Sequence, residues 1–208
     1  MIKNIVFDMG GVLVFDSMTE FLTRYTEDEA DRELLHRELF NSREWKKGWD
    51  NGTMSEDEVA CSVCRRLPER LHSTVSRVLE NWMMEPRAVP GMEELIRDLK
   101  ETGFSIYLLS NTANAFRRYC HKLPAIGCFN GTFISADYQL LKPNREIYEK
   151  FTRVFGLEPP ECYFIDDKKE NVDGAITAGW GGGFVFSGDS AALKKAMKQA
   201  LNITGNFF

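Results

Sequence analysis

Short apolar segments that alternate with amphipathic helical patterns constrain this fold more than any other feature of the sequence. Residues 4–8, 104–109 and 162–165 have the length and composition of buried strands, and residues 184–186 are a fourth candidate. Apolar residues at helical spacing occupy residues 91–102, 145–155, 168–178 and 190–201. Strands and helices in alternation indicate βαβ units around a parallel sheet. The sequence therefore predicts an α/β fold.

Residues 16–86 interrupt this alternation. They contain no convincing strand pattern and at least three helical segments, one beginning with a capping box at Ser55 and another following Pro68. We expect these residues to form an inserted all-helical domain over the carboxyl edge of the sheet. Residues 1–15 and 87–208 are then expected to form the sheet domain.

Polar side chains stand where the first three predicted strands end. Asp8 ends the first strand, Ser110 follows the second, and Asp166 and Asp167 follow the third, while Lys142 lies in a loop between the last two. Ligands of open parallel sheets bind beyond the carboxyl ends of the strands. Carboxylates can hold Mg²⁺ and supply a nucleophile, and a hydroxyl, backbone N–H groups and an ammonium can hold phosphate oxygens. The set predicts phosphoryl transfer.

These residues fall into four ordered motifs that resemble those of haloacid dehalogenase-like (HAD) superfamily hydrolases, a likeness covering essentially the whole chain. The motifs are residues 8–12 (DMGGV), 109–112 (LSNT), 142–143 (KP) and 165–171 (IDDKKEN). The helical stretch 16–86 stands where the C1-type cap of this family belongs. The resemblance implies a Rossmann-like, three-layer parallel-sheet core with an inserted all-helical cap.

The resemblance also implies an activity: Mg²⁺-dependent hydrolysis of a phosphomonoester through an aspartyl-phosphate intermediate. Asp8 would be the catalytic nucleophile. The implied Mg²⁺ ligands are the Asp8 carboxylate, the Gly10 backbone carbonyl and Asp167, with Asp166 binding directly or through water. The metal would neutralise carboxylates that otherwise repel each other and the substrate.

Phosphate binding is implied for a second group of residues. Ser110, the backbone at Asn111 and Lys142 would hold the non-bridging oxygens, and Lys142 would also act catalytically by stabilising charge in the transition state. Asn171 is expected to orient the site residues by contacting them rather than the substrate. Thr112 is expected to cap the following helix rather than contact the substrate.

Gly10 departs from the family pattern. Most phosphatases of this family carry a second Asp there, as general acid and base, and such assistance typically contributes about 10²–10⁴-fold. The anomeric oxygen of a sugar 1-phosphate needs an acid less, and the DxGG/DxGN form resembles a bacterial subgroup that includes α-glucose-1-phosphate phosphatases. A sugar phosphate is therefore the leading expected substrate, and Gly10→Asp is expected to raise turnover of ordinary alkyl phosphates.

Two alternative functions stay open on the same scaffold. Because Gly10 replaces the second Asp, the chain could be a catalytically weak or inactive binding or regulatory protein. It could also be a haloacid dehalogenase, which uses an Asp nucleophile without Mg²⁺ but typically has a Tyr at the position of Gly10.

Charge and composition limit the partners. The formal net charge is −5 at pH 7, which argues against nucleic acids and anionic membranes. No apolar run approaches the ~18 residues of a membrane span. The N-terminal apolar stretch is too short for a secretory signal, and the five cysteines show no disulfide framework, so a cytoplasmic location is expected. The expected partner is a small phosphorylated metabolite, and the oligomeric state is not indicated.

Two further patterns concern the predicted cap and the end of the sheet. Trp45, Lys46, Lys47 and Trp49 could shape a substrate pocket, or the tryptophans could form the cap core while the lysines are solvated. Residues 181–183 (GGG) lack the context of a dinucleotide-binding loop and are interpreted as a flexible connection.

Overall fold

The computed structural model of the chain describes residues 1–15 and 17–201. Its centre is a sheet of five parallel strands in the order β3-β2-β1-β4-β5. The strands are β1 (Asn4–Phe7), β2 (Ser105–Ser110), β3 (Gly131–Ile134), β4 (Cys162–Asp166) and β5 (Gly182–Val185). The predicted α/β fold is confirmed.

Helices occupy most of the remaining chain. The α-helices are α1 (Met18–Leu22), α2 (Glu29–Leu35), α3 (Glu56–Cys64), α4 (His72–Asn81), α5 (Met92–Glu101), α6 (Phe116–Tyr119), α7 (Ser135–Tyr138), α8 (Arg145–Phe155), α9 (Lys169–Thr177) and α10 (Ser190–Ala200). Two π-helical segments are His36–Phe40 and Glu44–Trp49, and short 3₁₀ turns are Glu69–Leu71, Cys120–Lys122, Ile126–Cys128 and Pro159–Glu161. No helix in the described ranges has the length and apolar character needed to cross a membrane.

Helices cover both faces of the sheet, which explains why the strands are apolar on both sides. In β1, Ile5 and Phe7 pack into the same core as α5 and α10. Val6, between them, points the other way and packs into the core that contains residues of α8 and α9. The result is the three-layer arrangement that the motif resemblance implied.

The segment between β1 and α5 is helical, as predicted, and its two ends lie side by side. Val14 forms an antiparallel bridge with Ala88, and the Phe15 N–H donates to the Arg87 carbonyl at 2.9 Å. The capping box at Ser55 is present and starts α3. Residue 16, where the predicted cap domain begins, lies outside the described residues.

Two parts of the sheet differ from the sequence interpretation. The edge strand β3 was not predicted. The interpretation of residues 181–183 as a flexible connection is wrong, because Gly182 and Gly183 belong to β5 and pair with β4. A Cβ on Gly183 would lie 2.7 Å from Cγ1 of Val172, so close packing of α9 on the strand requires glycine there.

Candidate active site

The end of β1 presents Asp8 at the carboxyl edge of the sheet. The Asp8 N–H donates to the Ile165 carbonyl of β4 at 2.8 Å, so strand pairing continues to this residue. The Met9 N–H donates to Oδ1 of Asp8 at 2.7 Å. Asp8 is buried, and these contacts hold both its backbone and its carboxylate in place.

The end of β4 supplies Asp166, which is fully buried. Its carboxylate accepts a hydrogen bond from the Lys168 N–H at 2.8 Å and two from Nδ2 of Asn171, at 2.9 and 3.0 Å. The Asn171 carbonyl accepts a hydrogen bond from the Tyr148 hydroxyl at 2.7 Å. Asn171 is thus in the supporting position that the sequence predicted, and Tyr148 is a supporting residue that the sequence did not reveal.

Lys142 joins the two strand ends. Its ammonium lies 2.8 Å from Oδ1 of Asp8 and 2.7 Å from Oδ2 of Asp166, and it donates to the Leu109 carbonyl at 3.0 Å. The Asn111 side chain holds the backbone of Lys142 through two hydrogen bonds, of 3.0 and 2.9 Å. The sequence missed this role of the Asn111 amide, because the loop that carries Lys142 is distant in the chain.

The three buried charges shift one another's protonation. Burial raises the pKa of Asp8 to about 7, although Lys142 opposes this shift. Burial also acts to raise the pKa of Asp166, but the charge and hydrogen bonds of Lys142 outweigh it and the net shift is downward. The Lys142 pKa is raised because the two carboxylates outweigh its burial. One ammonium therefore pairs with two carboxylates, and of these two Asp8 has the higher pKa.

The carboxylates also form a donor set for a divalent cation. Asp8, Asp166 and Asp167 each offer an oxygen within 4.8 Å of the others. A Cβ on Gly11, whose φ is +73°, would lie 2.9 Å from Cγ and Oδ2 of Asp167, so glycine makes room for this carboxylate. An oxygen-only, anionic set of this kind fits Mg²⁺.

A cavity of about 430 Å³ opens over the strand ends. The sheet side of its wall includes Asp8, Gly10, Ser110, Asn111 and Lys142, so the structure brings these predicted site residues together. Asp166 and Asp167 place their carboxylates beside that of Asp8, with one oxygen of each within 4.8 Å of the others.

The helical segment supplies the opposite wall. Trp45, Lys46 and Lys47 line the cavity, whereas Trp49 lines a neighbouring groove. Trp45 also packs against Trp82, with ring centroids 5.1 Å apart. Trp45 and Trp49 are both buried in the core, and Lys46 and Lys47 are exposed, as the second interpretation predicted. Trp45, Lys46 and Lys47 also border the cavity.

Thr112 does not cap a helix, contrary to expectation. The next helix, α6, begins only at Phe116. The Thr112 N–H instead donates to Oγ of Ser135 at 2.9 Å, and its hydroxyl lies 3.2 Å from that of Tyr119. These contacts tie the loop after β2 to the segment after β3.

Comparisons with known sequences indicate the family of the chain. A family model of haloacid dehalogenase-like hydrolases matches residues 2–179. A flavin mononucleotide hydrolase of Arabidopsis thaliana is 34% identical over 102 residues, which are 49% of this chain and 42% of that protein, so the match spans less than half of the plant relative. A sesquiterpene phosphatase of Aspergillus oryzae is 26% identical over 206 residues, covering 95% of this chain and 95% of that protein.

Comparison with solved structures concerns the fold. A HAD family enzyme of Bacteroides thetaiotaomicron, in complex with magnesium and inorganic phosphate, aligns with a TM-score of 0.66 at 20% identity, covering 93% of this chain and 99% of that chain. At this identity the likeness shows a shared fold. Because the family model covers most of the chain, including all four motifs, the protein belongs to the haloacid dehalogenase-like hydrolases and is an enzyme of this family.

Proposed function

We propose that this hydrolase is a phosphatase that cleaves a small phosphomonoester through transient phosphorylation of Asp8. One observation carries the proposal: Asp8, Asp166 and Asp167 meet within 4.8 Å, and the Lys142 ammonium lies against the first two at the base of the cavity. The names of the plant and fungal relatives, both phosphate-ester hydrolases, support the same reaction class.

The residues that would hold Mg²⁺ are Asp8, the Gly10 backbone carbonyl, Asp166 and Asp167. When bound, the ion would neutralise this acidic cluster and the phosphate beside it. The oxygen donor set and the space left by Gly11 support this assignment.

The reaction would begin with the ionised Asp8 carboxylate attacking phosphorus. A new O–P bond forms as the bond to the leaving oxygen breaks, which gives an aspartyl phosphate, and water then hydrolyses this ester. Lys142, Ser110 and the backbone N–H groups near Asn111 would hold the non-bridging oxygens through both steps. Burial of Lys142 strengthens its interaction with developing negative charge.

The helical segment would act as a cap, with residues 16–86 as the cap domain and residues 1–15 and 87–208 as the core. Its residues form the cavity wall facing the strand ends, where a cap excludes water and selects the substrate. Trp45 and Trp82 offer aromatic surface, and Lys46 and Lys47 offer positive charge. A sugar phosphate is the substrate class inferred from the sequence, whereas the names of the relatives point to a flavin nucleotide and a terpenoid phosphate.

The alternatives differ in what they predict. An inactive binding protein would release phosphate from no ester, with or without Mg²⁺. A dehalogenase would act on a haloacid without Mg²⁺.

A phosphate-release assay tests the proposal. The panel contains a sugar 1-phosphate, a flavin nucleotide, a prenyl phosphate and p-nitrophenyl phosphate, each with and without Mg²⁺, and a haloacid is assayed for halide release. We expect phosphate release that requires Mg²⁺ and is abolished in Asp8→Asn. Undiminished release by Asp8→Asn would remove Asp8 from the mechanism, and halide release without Mg²⁺ would favour the dehalogenase.

A further inference from the structure

The position of the nucleophile determines where the leaving group lies. In phosphoryl transfer the attacking and leaving oxygens stand roughly in line on opposite sides of phosphorus. Asp8 attacks from the sheet, so the leaving oxygen faces away from the sheet, towards the helical segment that forms the other cavity wall. A carboxyl group on that wall can therefore protonate this oxygen in place of the side chain that Gly10 lacks, a conclusion that rests on the proposed function.

The cavity offers two carboxylates besides the nucleophile. Among the described residues that line it, only Asp8, Asp50 and Glu170 carry one. Glu170 lies in the first turn of α9, directly after the Asp166 and Asp167 loop, and so belongs to the sheet side. Asp50 follows the π-helical segment Glu44–Trp49 and belongs to the opposite wall.

The backbone of Asp50 is held against the core. Its N–H donates to the Trp45 carbonyl at 2.9 Å, which ends the π-helical segment. Its carbonyl accepts a hydrogen bond of 2.5 Å from the hydroxyl of Ser135, and the same hydroxyl oxygen accepts the hydrogen bond from the Thr112 N–H. One serine therefore connects Asp50 to the loop that follows the phosphate-binding strand end.

A second contact, two residues later, holds the same segment. Gly52 has φ of +71°, and a Cβ at this position would collide with the backbone carbonyl of Ala136. The loop around Gly52 thus packs backbone to backbone on α7, whose first residue is Ser135. Both contacts hold the backbone around Asp50 against the start of α7.

We propose that Asp50 is the general acid and base of this enzyme, in the role that Gly10 leaves vacant. As Asp8 attacks, the P–O bond to the leaving group breaks, its electron pair stays on the leaving oxygen, and the Asp50 carboxyl transfers its proton there. The Asp50 carboxylate then takes a proton from water as the water oxygen attacks the phosphorus of the aspartyl phosphate. This second step restores the Asp8 carboxylate and the Asp50 carboxyl and releases inorganic phosphate.

The cavity provides the conditions for this proton transfer. A bound substrate places the negative charge of its phosphate between the two walls and displaces water from the cavity. The acid is then needed most for leaving oxygens that are strongly basic, such as those of alkyl esters, and least for a phenolate.

The test compares leaving groups in Asp50→Asn. The measured quantity is kcat/KM with Mg²⁺ present, because it reports the steps up to loss of the leaving group. For an alkyl phosphate we expect a fall of about 10²–10⁴-fold, and for p-nitrophenyl phosphate a fall of only a few-fold. An unchanged kcat/KM for the alkyl ester, or an equal loss for both esters, would overturn the proposal.

Two matched variants separate proton transfer by Asp50 from a general loss of carboxylate charge in the cavity. Glu170→Gln makes the same carboxylate-to-amide change on the sheet side and should keep the wild-type ratio between the two esters, while Asp50→Glu should recover part of the alkyl activity. A loss confined to Glu170→Gln would place the acid on the sheet side and overturn the proposal. The two proposals also fail differently. Absence of phosphate release by the wild type contradicts the phosphatase itself, whereas an equal loss for both esters in Asp50→Asn contradicts only the role of Asp50.

Discussion

The Lys142 ammonium lies 2.8 Å from the carboxylate of Asp8, and the lysine side chain is only 1% exposed. The same ammonium contacts Asp166, so a single buried cation separates two buried anions. Since removing one member of a buried charged group leaves the others unpaired, this contact should govern both folding stability and activity.

Lys142→Met should therefore destabilise the protein by about 3–5 kcal/mol at pH 8, because Asp8 and Asp166 then repel each other without compensation. Protonation relieves that repulsion, so the deficit relative to wild type should shrink as the pH falls. Urea unfolding of metal-free protein at about pH 8 and pH 5 measures both effects. Lys169→Met, which removes an exposed lysine in α9, is the control and should change stability by at most about 1 kcal/mol. A Lys142→Met deficit that grows at low pH would contradict this account.

Mg²⁺ affinity should depend on pH through Asp8. The Asp8 pKa is 3.8 for the unshifted group and about 7 in the folded protein, so between these values the fold retains a proton that the unfolded chain releases. This group therefore lowers the stability of the metal-free fold as the pH rises towards 7, and a bound ion must displace the proton. As the pH rises towards 7, the Mg²⁺ dissociation constant, measured by titration calorimetry, should fall about tenfold per pH unit. Above pH 7 it should level off. A constant that does not change with pH across this window would show that Asp8 binds no ion.

Gly11→Ala should weaken Mg²⁺ binding, because the new methyl group would lie 2.9 Å from the Asp167 carboxylate and push it aside. Gly156→Ala is the matched control: its φ of +64° imposes similar backbone strain, but no atom lies within 4 Å of the added Cβ. Both variants should lose about 1 kcal/mol of stability. Only Gly11→Ala should also lose about 10–100-fold in Mg²⁺ affinity, measured by calorimetry. Equal affinities in the two variants would contradict the role given to Asp167.

Gly10→Asp tests whether the vacant acid position can be refilled. In the wild type the sequence predicts a gain in turnover of alkyl phosphates, and if Asp50 already supplies the proton this gain should be small. In the Asp50→Asn background the same substitution should raise kcat/KM for alkyl phosphates by about 10-fold or more. Steady-state kinetics on all four proteins measures the interaction. Equal gains in the two backgrounds would show that an Asp at position 10 and Asp50 do not perform the same function.

Much of the fold could be predicted because its signals are local. The helix predicted over residues 145–155 is α8, with the same bounds, since its apolar face and the glycine that follows are contiguous in sequence. Strand β3 escaped prediction because it is a short edge strand with only Phe133 and Ile134 buried. Gly182 and Gly183 were misinterpreted because their strand conformation comes from pairing with β4 and not from their own propensity.

The sequence by itself determined the α/β architecture, the four motifs and the acidic strand ends, because each is written in neighbouring residues and in strand order. Only the tertiary structure decided that Lys142 stands between Asp8 and Asp166, that Asn111 holds its loop, and that Asp50 faces the site from the opposite wall. These contacts join residues that are 24 to 134 positions apart, and no local pattern encodes their distances. Pairing of β1 with β4 and the loop held by Asn111 set the Lys142 contacts, and the contact of the helical segment with Ser135 sets the position of Asp50.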